Sequence, residues 1–193
     1  MSKANNDNRF RLQNFITPPI IALGLAVVLF FGGGLVNPDF VNPGQAINIV
    51  RLAAFLGIIA AGQTLVIISG GEGIDLSVGA VVTLGAILTF RLTDGDNGLI
   101  WLGLVAACGS GFGIGLLNGL GISVLQIPPL VMTLGMTGVV QGTILVVTQG
   151  EMLGDTPDLM ADFIASPVLF GIPGVVFIWI TLGVGMWLLL NRT

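Results

Sequence analysis

From Pro18 to Val36 the chain runs nineteen residues without a charged side chain. Coiled as a helix at 1.5 Å per residue, that stretch spans roughly 28 Å, close to the hydrocarbon thickness of a bilayer. The same kind of stretch returns five times, as Leu52–Ser69, Leu76–Phe90, Leu99–Ile122, Leu130–Thr148 and Val168–Leu190. Inside hydrocarbon every backbone N–H and C=O must be bonded within the structure itself, and runs of this length do so as helices. The predicted fold is therefore all-α, a polytopic transmembrane helical bundle of six spans. It forms one transmembrane domain over residues 1–193, with residues 1–17 as a polar N-terminal segment.

Composition matters here chiefly for what it excludes. Only 8% of the residues are charged and 54% are hydrophobic. A soluble domain carries about 25% charge, so too little polar surface exists to cover a water-soluble fold. The first apolar run is also longer than the roughly 7–15 residues of a signal peptide's core, so it reads as an uncleaved span. Pro18 and Pro19 suit a helix start, where a missing N–H is no loss.

The breaks between runs carry turn chemistry. Asn37-Pro38-Asp39 stops the first, Gly70-Gly71-Glu72-Gly73 the second, and Asp94-Gly95-Asp96-Asn97 the third. Gln126-Ile127-Pro128-Pro129 links the fourth run to the fifth, and residues 149–166 form the longest polar connection. With six spans and residue 1 in the cytoplasm, Lys3, Arg9, Arg11 and Arg192 fall inside and Arg51 and Arg91 outside. Four against two agrees with the positive-inside rule.

Several chemistries are removed by what is missing. With no histidine there is no histidine base, triad or histidine metal ligand. Cys108 is the single cysteine, so neither an intrachain disulfide nor a zinc cluster forms. No Gly-Lys-Ser/Thr is present, hence no P-loop. A net charge of −4 without a basic patch argues against nucleic acid. Trp101, Trp179 and Trp187 are the interfacial anchors, since tyrosine is absent.

The thirty glycines are informative through their spacing. Gly103, Ala107, Gly111, Gly115 and Gly119 recur every fourth residue of the fourth span, one stripe on its helix. Such stripes let helix backbones approach closely in lipid, where no hydrophobic force drives association. Ala53, Gly57 and Ala61, and then Gly138 and Gly142, repeat the device in the second and fifth spans. Close packing between spans is the predicted role of all three.

Polar side chains at membrane depth are costly and default to function. Gln63, Asn118 and Gln141 are candidates to line a solute path, because amides exchange hydrogen bonds with hydroxyl groups. Thr83, Thr133 and Thr137 are expected to bond the preceding turn of their own helices. Arg51 and Arg91, near span ends, are expected to snorkel to the interface. Gly70 and Gly71 break the second helix. Asp75 or Ser77 is expected to cap the third through a side-chain oxygen, where negative charge favours the helix's positive end.

One stretch carries a family resemblance. Ala60-Ala61-Gly62-Gln63-Thr64-Leu65-Val66-Ile67-Ile68-Ser69-Gly70-Gly71, followed by Ile74-Asp75-Leu76-Ser77-Val78-Gly79, resembles the permeases of ATP-binding-cassette sugar importers of the ribose/xylose/arabinose/galactose group. Asn118-Gly119, Ile127-Pro128-Pro129, Thr133-Leu134-Gly135-Met136 and Thr148-Gln149-Gly150 match in order, so the likeness covers about residues 18–193. Glu72-Gly73 departs from the family's direct join of Gly-Gly to Ile-Asp. Family permeases also continue past the position of Thr193 into a cytoplasmic loop that docks on the ATPase, so the chain resembles the front part of one.

The resemblance implies a transport subunit in the bacterial inner membrane, N-terminus cytoplasmic, importing a monosaccharide or related polyol. It implies no enzyme activity and no cofactor on this chain, with ATP held by partner ATPase subunits. It further implies an extracytoplasmic solute-binding protein, a second permease subunit and membrane lipid as partners. Two rivals remain at this point: an ion-coupled secondary transporter or channel, which needs intramembrane charges, and a non-transporting permease fragment.

Overall fold

Proline marks where three of the helices begin. A computed structural model describes residues 17–69, 73–151, 153–169 and 171–192 of the chain. Helix α1 spans Pro18–Val36, α2 Pro43–Ile68 and α5 Pro129–Thr148, each with proline in its first turn, where its fixed φ is already helical. Between them lie α3, Val78–Thr93, and α4, Ile100–Ser123. The short α6, Asp158–Ala165, leads through a two-stranded hairpin, β1 Pro167–Leu169 against β2 Ile172–Pro173, into α7, Gly174–Arg192.

Among the described residues, five helices are long and apolar enough to cross a membrane, and α3 is a sixth apolar helix of only 16 residues. Large apolar side chains along the helices are exposed, among them Leu23, Phe31, Leu117 and Val146. That is the surface of a protein whose solvent is lipid, and the chain is a multi-pass membrane protein with an all-α fold.

The contacts divide the chain into two units, Met1–Ile49 and Val50–Thr193. In the first, α1 ends where the Asn37 N–H reaches the Gly33 carbonyl, and the Asn37 side chain accepts from the Asp39 N–H to start a single 3-10 turn. The Phe40 ring then folds back beside Phe30, their centroids 5.6 Å apart. None of α1's side chains is buried.

In the second unit, α3 is the central helix and packs on both α4 and α5. Ala80 and Leu84 of α3 meet Met136 and Val140 of α5, with Leu88, Ile114, Met132 and Ile144 around them. On its other side α3 meets α4 along small residues. A methyl on Gly85 would touch the Ala107 methyl at 3.3 Å, and a methyl on Gly103 would sit 2.8 Å from Thr89 Cγ2. The Thr89 hydroxyl lies 3.2 Å from the Gly103 carbonyl, a bond that only such close backbones permit. Elsewhere, Ala54 of α2 packs with Val175 and Val176 of α7, joined by Ile58 and Ile172.

Four expectations are corrected. The second span begins nine residues before Leu52, at Pro43, because the Asn42 side chain accepts the Gln45 N–H at 2.8 Å and caps the helix. Gln45, Asn48 and Arg51 hid that start in an otherwise apolar pattern. The last span begins at Gly174 rather than Val168, since residues 167–173 fold as the hairpin. The polar connection over 149–166 contains α6 and lies over the ends of α3 and α4. There Gly154 takes a φ of +133° with the Phe90 carbonyl where a Cβ would stand, and the Asp155 carbonyl accepts from the Gly95 N–H. Finally, the stripe on α4 divides. Gly103, Ala107 and Gly111 face α3, but nothing lies within 4 Å of a Cβ built on Gly115 or Gly119, and the same holds for Gly138 and Gly142 of α5.

Arg91, near the end of its helix, donates through its guanidinium to the Val147 carbonyl in the last turn of α5. That carbonyl is one of the four a helix end leaves unpaired, and the positive charge suits the helix's negative end. Arg91→Met keeps the stem and removes the donor. The expected loss is about 1–3 kcal/mol, read as a lower thermal midpoint of the purified protein in detergent; an unchanged midpoint would count against the contact.

Candidate solute-path site at a helix break

Between α2 and α3 the chain has no regular structure over residues 73–75 and turns at Leu76–Ser77 before the helix begins. Non-helical backbone in a membrane protein must find hydrogen-bond partners in the protein, and neighbouring helices supply them. From α2, Gln63 Nε2 donates to the Asp75 carbonyl at 2.5 Å. From α5, Thr133 Oγ1 accepts the Leu76 N–H at 3.2 Å, and Thr137 Oγ1 donates to the Leu76 carbonyl at 3.2 Å.

The side chains close the rest of the node. Asp75 Oδ1 accepts twice from Ser77, from its N–H at 2.8 Å and from its hydroxyl at 2.6 Å. Accepting the N–H two residues on is the geometry of a helix-capping carboxylate. Ser77 stands at the N-cap position of α3 but makes no capping bond through its own side chain. Fully buried, it accepts instead from Asn118 Nδ2 of α4 at 3.0 Å. One polar cluster thus ties α2, α4 and α5 to the start of α3.

Proton bookkeeping fixes the direction of this chain of bonds. A serine hydroxyl carries one hydrogen, and that of Ser77 goes to Asp75. The Asn118 group facing Ser77 must therefore be its NH₂, which leaves Oδ1 pointing elsewhere. Asn118 is 5% exposed and its buried Oδ1 has no partner among the described residues. The same logic applies at Gln63, whose NH₂ faces the Asp75 carbonyl and whose buried Oε1 is also unpartnered. Two buried acceptors without donors are each worth an explanation, since such a group costs about 1–3 kcal/mol.

A cavity of about 340 Å³ adjoins the node, with Ser69, Asp75, Asn118 and Thr133 as its polar lining and Gly115 and Gly119 in its wall. Gly115 and Gly119, two of the glycines that make no helix contact, leave this space open. A second, larger cavity of about 710 Å³ lies along α3 and α4, apolar and lined in part by Ala107, Cys108, Pro157 and Met160.

The residues singled out from sequence separate accordingly. Gln63, Asn118, Asp75 and Ser77 come together at the break. Gln141 does not join them; it is exposed on α5, one turn beyond Thr137, and does not line the cavity at the break. Gly70 and Gly71, with Glu72, lie outside the described residues. Thr83 bonds its own helix at the Gly79 carbonyl. Thr133 and Thr137 do the same, at Pro129 and Thr133, but also serve the break. Their second role had one sequence signal: two threonines four apart, just inside a helix that starts at Pro129, opposite a glycine-rich interruption. Among the described residues no cluster of three metal-ligating side chains occurs.

Comparison with known proteins gives a family profile, described as branched-chain amino acid transport system / permease component, that matches residues 45–193. The galactofuranose transporter permease protein of Escherichia coli K12 is 33% identical over 185 residues, covering 91% of this chain and 52% of that protein. An autoinducer 2 import system permease protein of Yersinia enterocolitica is 32% identical over 173 residues, 89% of this chain and 47% of that protein. The ribose import permease protein of Bacillus subtilis 168 is 31% identical over 177 residues, 91% and 53% respectively. The chain spans about half the length of the curated relatives it matches. No solved structure matches it.

Proposed function

Since this chain belongs to the family of branched-chain amino acid transport system permease components, we propose that it is the transmembrane permease subunit of an ATP-binding-cassette importer. Its solute is a monosaccharide or related polyol, entering across the bacterial inner membrane, with the N-terminus of the chain in the cytoplasm. The chain itself carries out no catalysis and holds no cofactor. ATP binds to partner ATPase subunits, an extracytoplasmic binding protein delivers the solute, and a second permease subunit completes the path.

The observation that carries this proposal is the node at the break. Three helices, α2, α4 and α5, commit polar side chains to one non-helical segment at the start of α3. Gln63 and Asn118 each keep an unpartnered amide oxygen there, and a discontinuous helix is where transport paths are commonly built. Gln141 belongs to the proposed path only through its exposed position on α5. Relatives named for galactofuranose and ribose support the substrate class.

The test is reconstitution of the chain into proteoliposomes with candidate ATPase and binding-protein partners, followed by uptake of radiolabelled D-ribose and D-galactose. Uptake that requires both internal ATP and the binding protein is the expected result. Accumulation driven by an ion gradient without any ATPase would overturn it in favour of a secondary transporter.

A further inference from the structure

We propose that the free face of α5 is a seam for a second copy of this chain, and that the two Gln141 side chains pair across it. The inference rests on the transport reading above and gives its second permease subunit an identity and a place.

Helix α5 is long and apolar enough to cross a membrane. Gln141 lies roughly 18 Å from its start and roughly 10 Å from its end, at 1.5 Å per residue. Gln63 and Asn118 each donate to a neighbouring element. Gln141 is exposed and makes no hydrogen bond among the described residues. Thr143, two residues on, is also exposed but donates to the Val139 carbonyl of its own helix. Hydrocarbon offers Gln141 no partner, and an amide left unbonded there carries its full desolvation cost.

The residues around it form a line. Thr133, Met136 and Val140 are the buried side of α5. Away from that side, Leu134, Gly138, Gln141 and Leu145 follow one another at four, three and four residues. That alternation keeps one row of side chains facing a partner helix, and a single polar residue in the row fixes its register. Leu134 and Leu145 are 62% and 65% exposed, and a Cβ built on Gly138 meets nothing within 4 Å. A glycine next to the amide lets a second backbone come close where the amide must be met.

The chemistry of the amide names the occupant. It carries two hydrogens and a carbonyl oxygen, so it needs a group that both donates and accepts at its own depth. Identical copies enter a membrane in the same orientation. Their α5 helices therefore run parallel, and the two Gln141 side chains stand level. About a two-fold axis each Nε2 donates to the Oε1 of the other copy, an isologous contact. A lipid chain satisfies neither atom, and a charged partner would bring a desolvation cost of its own.

The test is oxidative cross-linking of the full chain in membranes, with Cys108→Ser as background because Cys108 is exposed. Leu134→Cys and Leu145→Cys, each added alone, should give a dimer band on a non-reducing gel. Val139→Cys and Val146→Cys are the controls, at positions 62% and 77% exposed but off the line, and should stay monomeric. Energy transfer between labelled copies in liposomes measures the strength of the contact. There Gln141→Leu should weaken association about three- to tenfold, the size of one interhelical hydrogen bond in a membrane. Gly138→Leu should abolish it by holding the backbones apart. Neither position is used inside the chain, so both variants should keep the helix content of the unaltered protein by circular dichroism.

The inference is wrong if neither Leu134→Cys nor Leu145→Cys cross-links more than the controls, because lipid or a different protein segment then covers this face. It is equally wrong if Gln141→Leu and Gly138→Leu associate as the unaltered chain does. ATP-driven uptake by an importer whose α5 line does not cross-link would remove the seam and leave the transport reading. A cross-linked dimer that shows no ATP-driven uptake with its partners would leave the seam and remove the transport reading instead.

Discussion

Asp75→Ala is expected to cut solute uptake at least about tenfold while the protein still reaches the membrane. The carboxylate accepts both the N–H and the hydroxyl of Ser77, and Ser77 is fully buried. Removing it strands two donors, each costing about 1–3 kcal/mol when left unsatisfied. The Ser77 hydroxyl then faces only the NH₂ of Asn118, itself a donor, so the direction of the whole chain of bonds is lost, not one contact alone. Asp75→Asn keeps an oxygen that accepts from both donors and should be much milder. Uptake and membrane abundance must be measured together, with abundance read by immunoblot of the membrane fraction. Normal uptake at normal abundance in Asp75→Ala would remove any essential role for this residue.

Gly103→Leu should strongly destabilise the bundle. A Cβ at that position stands 2.8 Å from Thr89 Cγ2 and 3.1 Å from Thr93 Cγ2. Those methyls have little room to turn, because each hydroxyl is bonded to its own helix, at 2.9 and 2.8 Å. The Thr89 Cα is only 3.2 Å away, and backbone does not rotate aside. The seam between α3 and α4 must open, at about 1–3 kcal/mol for the overpacking. Gly119→Ala is the control. Open space surrounds it, and alanine is favoured over glycine in a helix by about 1 kcal/mol. Thermal unfolding in detergent should place Gly103→Leu well below the unaltered protein and Gly119→Ala at or above it. Equal midpoints for the two would mean that the stripe does not divide as the seam indicates.

The two substitutions also mark how far sequence carries. The helices were legible because apolar runs near twenty residues have few alternatives in lipid, and α1 begins and ends where its run does, at Pro18 and Val36. Boundaries failed where local chemistry outweighed hydropathy. Asn42 and Pro43 start α2 ahead of polar residues that hydropathy treats as loop. Pro167 to Pro173 forms a hairpin from residues apolar enough to pass for helix. At the site, the sequence offered Gln63, Asn118, Asp75 and Ser77 as separate polar exceptions. That they form one cluster depends on α3 lying between α4 and α5, a tertiary fact that period and spacing do not encode. Gln141 looked equivalent to the other amides because residue type and depth were all that could be compared.

A structural feature of the bundle gives the node a dependence on its surroundings. Helix α3 has 16 residues and so covers about 24 Å, some 6 Å less than a hydrocarbon core of about 30 Å. Mismatch of this kind is met by local thinning or by tilting, at fractions of a kcal/mol per Å. Here α4 and α5 flank the short helix, and the segment that leads into it is the non-helical one that Gln63, Thr133 and Thr137 hold. Such a mismatch is expected to make the depth of the break follow the acyl-chain length of the host membrane. Longer lipids are expected to draw it further from the aqueous boundary and shorter ones to wet it, so that membrane thickness would act on this site without any ligand.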